Sequence, residues 1–485
     1  MTRSYRSLRW LVRSLLWIFF RRIEIAGLEN IPDTAGGVIV AWHPNALVDP
    51  ALIFASFPRR IVFGARHGLF SWPIIGRIMR GLGCVPFYRP QDFPDKEGDE
   101  SRREANRKSV GAMADAVAGG AFTALFPEGL SHDDPAPRAV RPGAARLFRQ
   151  AVEQTPADKP QPVLLPVGLH YNEKRVLGSG VLIVYHPPLE LDPALLAPAE
   201  PGTTESPRHD DCQKLTAKIE QSLKETAHAT ESWEIHHLLN RARKLVRAER
   251  AARAGASLPP PSLAERVLAF GRLWTGYNER LKTHPAEVRR LLYRIREYDA
   301  ELAALGVDDH ELEKPRRRHP LPATLRLVLE GLLVFLILPP LLAAGYLVNL
   351  PPALIVWAVT RSRARELKDE ATIKLLAGVV LFPAAWLTAA LIAALWLEGP
   401  GWLIGCITVV VSAIGGFLIL NYQRFALHTM RAITLRGKHA DQAEALERLR
   451  LERGELCDQV VGLSTGLELP GTVLPDGRVL EPPNL

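Results

Sequence analysis

The chain has 485 residues, 47% hydrophobic and 23% charged, enough for two or three domains and a sizeable core. Sixty basic against 52 acidic residues give a net charge of +8, which favours anionic partners; no basic-aromatic recognition module accompanies it, which disfavours nucleic acid, and the basic residues cluster beside apolar runs, as at anionic lipid. The four cysteines, Cys84, Cys212, Cys406 and Cys457, lack paired spacing, which argues against a disulfide framework and a zinc site and for a reducing compartment.

Residues 3–22 carry Arg3, Arg6, Arg9 and Arg13, then an apolar run from Leu15 to Phe20, then Arg21 and Arg22. Arg21-Arg22 stands where a signal-peptide cleavage site would need small residues, and a run of about a dozen apolar positions is too short to span a bilayer. The expectation is an amphipathic membrane-interface helix over residues 1–22, with Trp10 and Trp17 at the headgroups; a core helix of the first domain is the competing reading.

From Ile23 to about Leu191 short apolar runs alternate with helical stretches, the pattern of an α/β domain. Residues 37–42 read as a buried strand, with further strands at Ile61–Phe63, Thr123–Phe126, Val163–Val167 and Val181–Tyr185 and a helix at Lys108–Ala118. Pro44-Asn45 are turn or helix-entry residues, so the first strand ends at His43 and a helix begins near Asn45. On one continuous helix, at about 100° per residue, the side chains of His43 and Asp49 would diverge by roughly 240°, so they meet only if His43 lies in the turn before the helix. Such a pair can act as a general base whose tautomer and charge are set by the acid. Taken alone, it is more often a turn histidine and an unrelated first-turn aspartate. The conspicuous residues recur just after strand ends, where open α/β sheets bind ligands, so the motifs are expected to converge at one edge.

Residues 92–107, rich in Asp, Glu, Arg and Lys, read as a mobile loop. Helices are expected from about Arg208 to His228 and from about Ser232 to Ala254, and the prolines of Ala254–Pro261 mark a boundary. Leu263–Leu305 is helical and charged, a packing or regulatory pair.

After Lys314, Arg316, Arg317 and Arg318, the apolar stretch Leu325–Val359 is broken by Pro339-Pro340 and Pro351-Pro352. Leu375–Leu397 and Trp402–Leu420 are each long enough to cross about 30 Å at 1.5 Å per residue, and Glu398–Gly401 joins them as a transmembrane hairpin. Basic clusters precede the first apolar stretch, follow it at Arg361, Arg363, Arg365 and Lys368, and follow the hairpin at Arg424, Arg431, Arg436 and Lys438; all belong on the cytoplasmic side. Leu325–Val359 is therefore expected to enter and leave on one face, as a re-entrant segment or short two-pass hairpin. The tail beyond about Glu455 shows little periodicity and reads as disordered or loosely packed.

Four blocks follow one another in order: His43 to Asp49, Gly83 to Arg89, Phe126 to Ser131, and Leu164 to Leu169. Together, with the lead-in Ile23–Pro32 and the stretch Phe63–Leu82, they resemble the glycerophosphate and lysophosphatidate acyltransferase superfamily over roughly residues 20–230. Most members space the histidine and aspartate one residue closer. The longer form here, with Ser131-His132-Asp133 after Glu128-Gly129, is similar to the membrane-bound fungal-type glycerol-3-phosphate and dihydroxyacetone-phosphate acyltransferases.

The resemblance implies a mixed-sheet acyltransferase domain of α/β class at residues 23–253, flanked by helices. A charged helical linker (254–320), an α-helical membrane region (321–431) and a C-terminal tail (432–485) would follow. The implied activity is transfer of a fatty acyl group from acyl-CoA or acyl carrier protein to a hydroxyl of glycerol 3-phosphate or 1-acylglycerol 3-phosphate, with no bound cofactor and no metal. Remodelling of lysophospholipids and a silent membrane scaffold are the alternatives. His43 would remove the hydroxyl proton while Asp49 holds the imidazole. Arg89, Glu128, Gly129 and Ser131 would form the acceptor site, and Arg66, Arg141 and Asn45 would contact phosphate or donor. Backbone amides near the second and third blocks would stabilise the oxyanion. Cys84 is expected to be a small buried residue rather than a nucleophile. The implied partners are the bilayer, the thioester donor, the acceptor and acyl carrier protein, with the domain on the cytoplasmic face.

Overall fold

A computed structural model describes residues 3–71, 73–81, 83–88, 96–196, 205–312, 321–364, 366–438 and 443–480. The chain divides into two compact units, Met1–Trp233 with Glu366–Thr372, and Glu234–Arg365 with Ile373–Leu485.

In the first unit, α1 (Arg3–Phe19) runs directly into β1 (Phe20–Ala26), followed by β2 (Gly37–Ala41), α2 (Val48–Ser56), β3 (Ile61–Arg66), α3 (Pro73–Gly81) and β4 (Val85–Phe87). Then come α4 (Lys96–Ala118), β5 (Phe122–Leu125), α5 (Gly143–Gln154), β6 (Val163–Tyr171), β7 (Ser179–Tyr185), α6 (Pro193–Leu196) and α7 (Glu205–Thr226). The seven strands form one sheet in the order β1-β7-β6-β2-β5-β3-β4. Strands β6, β2, β5, β3 and β4 run parallel, while β7 is antiparallel to β6 and carries β1 parallel to itself. Every residue of β2 is buried, as a central strand covered on both faces requires. One face packs Val38 and Val40 against Met113 of α4, Phe148 of α5 and Ile219 of α7.

Helix α1 packs into the body of this unit. Tyr5, Leu16 and Phe19 are buried, the Tyr5 ring meets Phe54 of α2 edge-on at 5.2 Å, and Arg9 Nε donates to Ala55 O at 3.1 Å. Its other side leaves Trp10, Leu11, Trp17 and Ile18 exposed. The helix is thus a structural part of the domain and an apolar outer face at once. Residues 96–107, expected as part of a loop, are the first half of α4; residues 89–95 lie outside the described residues.

In the second unit, α8 (Trp233–Arg253, beyond its first residue), α9 (Leu263–Thr283), α10 (Pro285–Leu305) and α15 (Ala443–Ser464) share a core of Leu238, Leu245, Ile295, Tyr298, Leu302, Leu449 and Leu456. A hairpin of β8 (Thr472–Val473) and β9 (Val479–Leu480) follows α15. This packing moves residues 234–253 out of the expected acyltransferase domain. Residues beyond about Glu455, expected to be disordered or loosely packed, continue α15, where Leu456 and Cys457 are buried, and form the β8–β9 hairpin; just before them Arg453 is wholly buried, with Nε on Glu249 Oε2 at 2.9 Å and Nη1 on Asp309 O at 2.8 Å.

Between these helices lie α11 (Leu321–Leu332), a π-helical turn at Leu333–Ile337, α12 (Leu338–Arg363), α13 (Glu370–Trp396, in this unit from Ile373) and α14 (Gly401–Lys438). Segments Leu342–Arg363, Leu367–Trp396 and Gly401–Leu427 are long and apolar enough to cross a membrane, and Val328–Pro340 is a shorter apolar helix. The π turn falls just before Pro339-Pro340, where missing amide donors disrupt the helical ladder. Buried Asn349 ties the three long helices together: its Nδ2 donates to Ser412 O at 3.0 Å and its Oδ1 accepts from Trp386 Nε1 at 2.9 Å. Gly345 faces Gly415 closely enough that a Cβ on Gly415 would lie 3.1 Å from the Gly345 Cα, the close approach small residues permit in lipid.

The buried Arg453–Glu249 pair yields a stability prediction. Arg453→Ala takes the buried cation from Glu249, leaving it the half-exposed Arg253 at 2.7 Å, strips the Asp309 carbonyl of its donor and empties a core position, so it should destabilise the helical body by about 3 kcal/mol, read by chemical denaturation. A loss below about 1 kcal/mol, the surface-pair range, would mean that α15 is not packed as described.

Candidate active site

Strands β2 and β5 are adjacent and parallel, with Val40 opposite Leu125, so the residues following them emerge side by side at one sheet edge. His43 follows β2 and Phe126 follows β5. Their rings stack, with centroids 4.0 Å apart and planes inclined by 18°. Strand β6 borders β2 on its other side and runs on to Tyr171 at the same edge.

Beyond β2 the chain makes a tight turn in which Ala46 takes a φ of +35°, a strained conformation for a residue with a Cβ. Helix α2 therefore starts at Val48, three residues later than expected, and Asp49 sits in its first turn. This placement brings His43 Nδ1 to 2.8 Å from Asp49 Oδ2. The same oxygen accepts the Asn45 amide at 2.7 Å, and Oδ1 accepts the Tyr171 hydroxyl. Asp49 is wholly buried, while the His43 side chain keeps 17% of its surface exposed. By accepting at Nδ1, the carboxylate selects the tautomer whose Nε2 lone pair is free to take a proton. Tyr171 is held well above the usual tyrosine range by burial and by the Asp49 charge, so it remains a neutral donor to that carboxylate.

The third block braces this arrangement from below. Glu128 is buried; Oε1 accepts the His43 amide at 3.3 Å, and Oε2 accepts the Arg138 amide at 2.8 Å and bonds His132 Nε2. The His132 amide in turn donates to His43 O at 3.2 Å. The expected contact between Glu128 and an acceptor does not hold in this arrangement, because both carboxylate oxygens are engaged inside the protein. Asn45 is likewise wholly buried, with Nδ2 on Lys174 O at 3.3 Å, so it shapes the turn instead of reaching phosphate or donor. Gly129 takes a φ of +76°, and a Cβ there would lie 3.3 Å from the Arg141 guanidinium carbon. The amides of Gly129 and His132 donate to Phe126 O and His43 O, so neither is open to an oxyanion.

Arg141 is exposed beside Gly129 and, among the described residues, has no ion-pair partner. Ser131 is half-buried, and its carbonyl accepts from Lys368 Nζ. Arg66 ends β3, whose residues 64–66 pair with β4; its side chain and all of Arg89 lie outside the described residues. Burial pushes the Cys84 thiol up to about 11, which removes it as a nucleophile near neutrality. No group of three or more His, Cys, Asp and Glu placed to hold a metal occurs among the described residues.

Tyr171 and Lys174 were not singled out from sequence, and His132 figured there only as part of the stretch after Glu128-Gly129, without a role. Lys174 Nζ donates to Pro44 O at 3.0 Å and pairs with Asp133, pinning the His43 turn from the β6–β7 side. Tyr171 had one available signal, since it lies on the strand carrying the fourth block.

Tyr171→Phe removes one donor from Asp49. Turnover should fall about tenfold with little change in KM, because the carboxylate that orients His43 loses a hydrogen bond. An unchanged rate would reduce Tyr171 to a packing residue.

Residues 22–170 match the family model described as Acyltransferase. The chain is 26% identical over 281 residues to glycerol-3-phosphate O-acyltransferase 2 of Saccharomyces cerevisiae, covering 54% of this chain and 35% of that one. It is 24% identical over 188 residues to 1-acyl-sn-glycerol-3-phosphate acyltransferase of Borreliella burgdorferi, covering 38% of this chain and 67% of that one. The crystal structure of the 1-acyl-sn-glycerophosphate acyltransferase PlsC from Thermotoga maritima matches with a TM-score of 0.30 and 19% identity, over 45% of this chain and 78% of that one. The chain thus spans about a third of the yeast relative's length and two thirds of the Borreliella relative's. With the His43–Asp49 pair at its sheet edge, the segment 22–170 is an acyltransferase-family domain carried on a longer chain.

Proposed function

We propose that this protein transfers a fatty acyl group from a thioester to a hydroxyl of glycerol 3-phosphate or 1-acylglycerol 3-phosphate in phospholipid synthesis. The observation that carries the reading is the part-exposed imidazole of His43, held at Nδ1 by a buried carboxylate within a domain of the acyltransferase family. The acceptor hydroxyl oxygen attacks the thioester carbonyl carbon as its proton passes to His43 Nε2. Asp49 stabilises the resulting imidazolium. The tetrahedral intermediate then collapses, the C–S bond breaks, and the thiolate takes the proton back, giving an ester and a free thiol. No acyl-enzyme is required. The donor is acyl-CoA or acyl carrier protein.

Arg141 supports a phosphate-bearing acceptor, since an exposed guanidinium without an ion-pair partner can fork onto phosphate oxygens. A remodelling enzyme for lysophospholipids would depend on it less. The yeast and Borreliella relatives are named for glycerol 3-phosphate and 1-acylglycerol 3-phosphate, the two acceptors to compare first.

Chain tracing favours one side of a bilayer for both globular bodies. Residues 366–372 pack in the first unit, through Lys368 on Ser131 O and Glu370 near Arg175, so the α12–α13 junction stays with the acyltransferase domain. Helix α15 packs with α8 and α10, so the chain returns after α14 to the side from which it left. Segments Val328–Pro340 and Leu342–Arg363 must then together make an even number of crossings or a re-entrant excursion, with α13 and α14 as a spanning hairpin. The basic clusters support a cytoplasmic common side. The exposed Trp10 and Trp17 of α1 would rest on that leaflet.

Three outcomes follow. His43→Ala should lower turnover by about 10²-fold or more with an unchanged melting temperature, and near-native turnover would refute the general-base role. Arg141→Ala should raise the acceptor KM about tenfold with little effect on kcat, and an unchanged KM would return it to the surface. In a cysteine-free background in intact cells, an impermeant thiol reagent should label Gly399→Cys but neither Ser131→Cys nor Thr465→Cys; labelling of Thr465→Cys would mean an odd number of crossings.

A further inference from the structure

The helical body of the second unit encloses a cavity between α8, α9, α10, α15 and the β8–β9 hairpin, with an empty volume of about 1080 Å³ counted out to its open mouth. The walls are largely aliphatic, with Leu273, Ile295, Val461 and Val479 among them. Set into those walls are five arginines, Arg243, Arg247, Arg250, Arg272 and Arg280, against one carboxylate, Glu265. Four positive charges are left without a counterpart in the lining.

The partners of these arginines sharpen the imbalance. Arg247 is paired with Glu265 at 2.9 Å. Arg272 donates to the carbonyls of Leu469, Pro470 and Gly471, and Arg280 to those of Leu463 and Thr465, neutral acceptors that leave the charge in place. Arg243 is buried and donates to Asn240 Oδ1 at 2.9 and 3.0 Å. Burial and the neighbouring Arg266 and Arg247 hold its guanidinium down to about 10, and burial with repulsion from Arg250 lowers Arg272. Among the described residues, no carboxylate forms an ion pair with Arg243, Arg250, Arg272 or Arg280. Crowded, part-desolvated cations of this kind are costly alone and favourable around an anion.

An apolar interior takes a hydrocarbon chain, and clustered guanidinium groups take a dianion better than a monoanion. We propose that this cavity binds a single-chain lipid with a phosphate monoester head group, the chain lying among the aliphatic side chains and the phosphate held by Arg250 and Arg272. The site belongs to the helical body and does not depend on the acyl-transfer reading.

The test uses the full-length protein in detergent with three photoreactive lipids that share one monounsaturated chain bearing a diazirine near its end. Their heads are a phosphate monoester, a carboxylate and a phosphocholine. Cross-linked peptides are mapped by mass spectrometry. The phosphate probe should label peptides from 239–295 and 460–479 at least about tenfold more than the phosphocholine probe, the selectivity of roughly one charge-assisted contact. Arg250→Gln should remove most of that preference, and Ala269→Trp, which fills the cavity, should abolish labelling there. Competition by unlabelled lysophosphatidate against lysophosphatidylcholine on the unmodified protein gives the same comparison if either variant fails to fold. Equal labelling by all heads, preference for the carboxylate, or labelling confined to residues 20–230 would overturn the proposal. His43→Ala should leave cavity labelling unchanged, so a failure of the catalytic reading and a failure of this one are distinguishable.

Discussion

The arrangement of the site depends on one buried carboxylate. Asp49 has no solvent contact, and its charge is tolerable only because the His43 imidazole, the Asn45 amide and the Tyr171 hydroxyl all point at it. His43 and Asn45 come from the turn after β2 and Tyr171 from the end of β6, while Asp49 itself sits in the first turn of α2. Satisfying that carboxylate therefore fixes three backbone segments at once, and the strained φ of Ala46 is a local cost of doing so.

Sheet topology supplies the rest of the geometry. Because β2, β5 and β6 are neighbours running the same way, the first, third and fourth sequence blocks end at one edge although more than a hundred residues separate the first from the last. Glu128 then links the third block to the first through the His43 main chain, with His132 and Arg138 holding its other oxygen. Glu128, read from sequence as an acceptor contact, is thus part of the frame that sets His43 in place. Beside this frame stands Arg141, exposed and, among the described residues, without an ion-pair partner.

Five of the seven sheet strands and the His43–Asp49 encounter were legible in the sequence, because a fully apolar run followed by Pro-Asn leaves few alternatives and because helical geometry forbids the pair from meeting within one helix; β1, which interrupts its apolar residues with Arg21, Arg22 and Glu24, and the three-residue β4 were not. Other features were hidden for identifiable reasons. The first half of α4 has charged residues on all sides and shows no apolar stripe, so it reads as loop although its residues are good helix formers. Helix α15 places Leu446, Leu449, Leu456 and Val460 on one face, but Arg453 interrupts that face at a core position, and only its Glu249 partner on α8 makes this sensible. The roles of Tyr171 and Glu128 depend on contacts across 122 and 85 residues, which local patterning does not carry.

The same long-range packing constrains the apolar helices α11 to α14, since helices before and after them form one core and residues 366–372 fold with the first unit. All of this positions the His43 imidazole, which we propose as the base and whose orientation is set by Asp49. The most direct measurement is the turnover of purified Asp49→Asn with an acyl thioester and glycerol 3-phosphate or its 1-acyl derivative. The account predicts a loss of about 10²-fold or more with the fold retained, because the amide can no longer hold the productive tautomer or stabilise the imidazolium. Near-native turnover in a folded Asp49→Asn protein would contradict it.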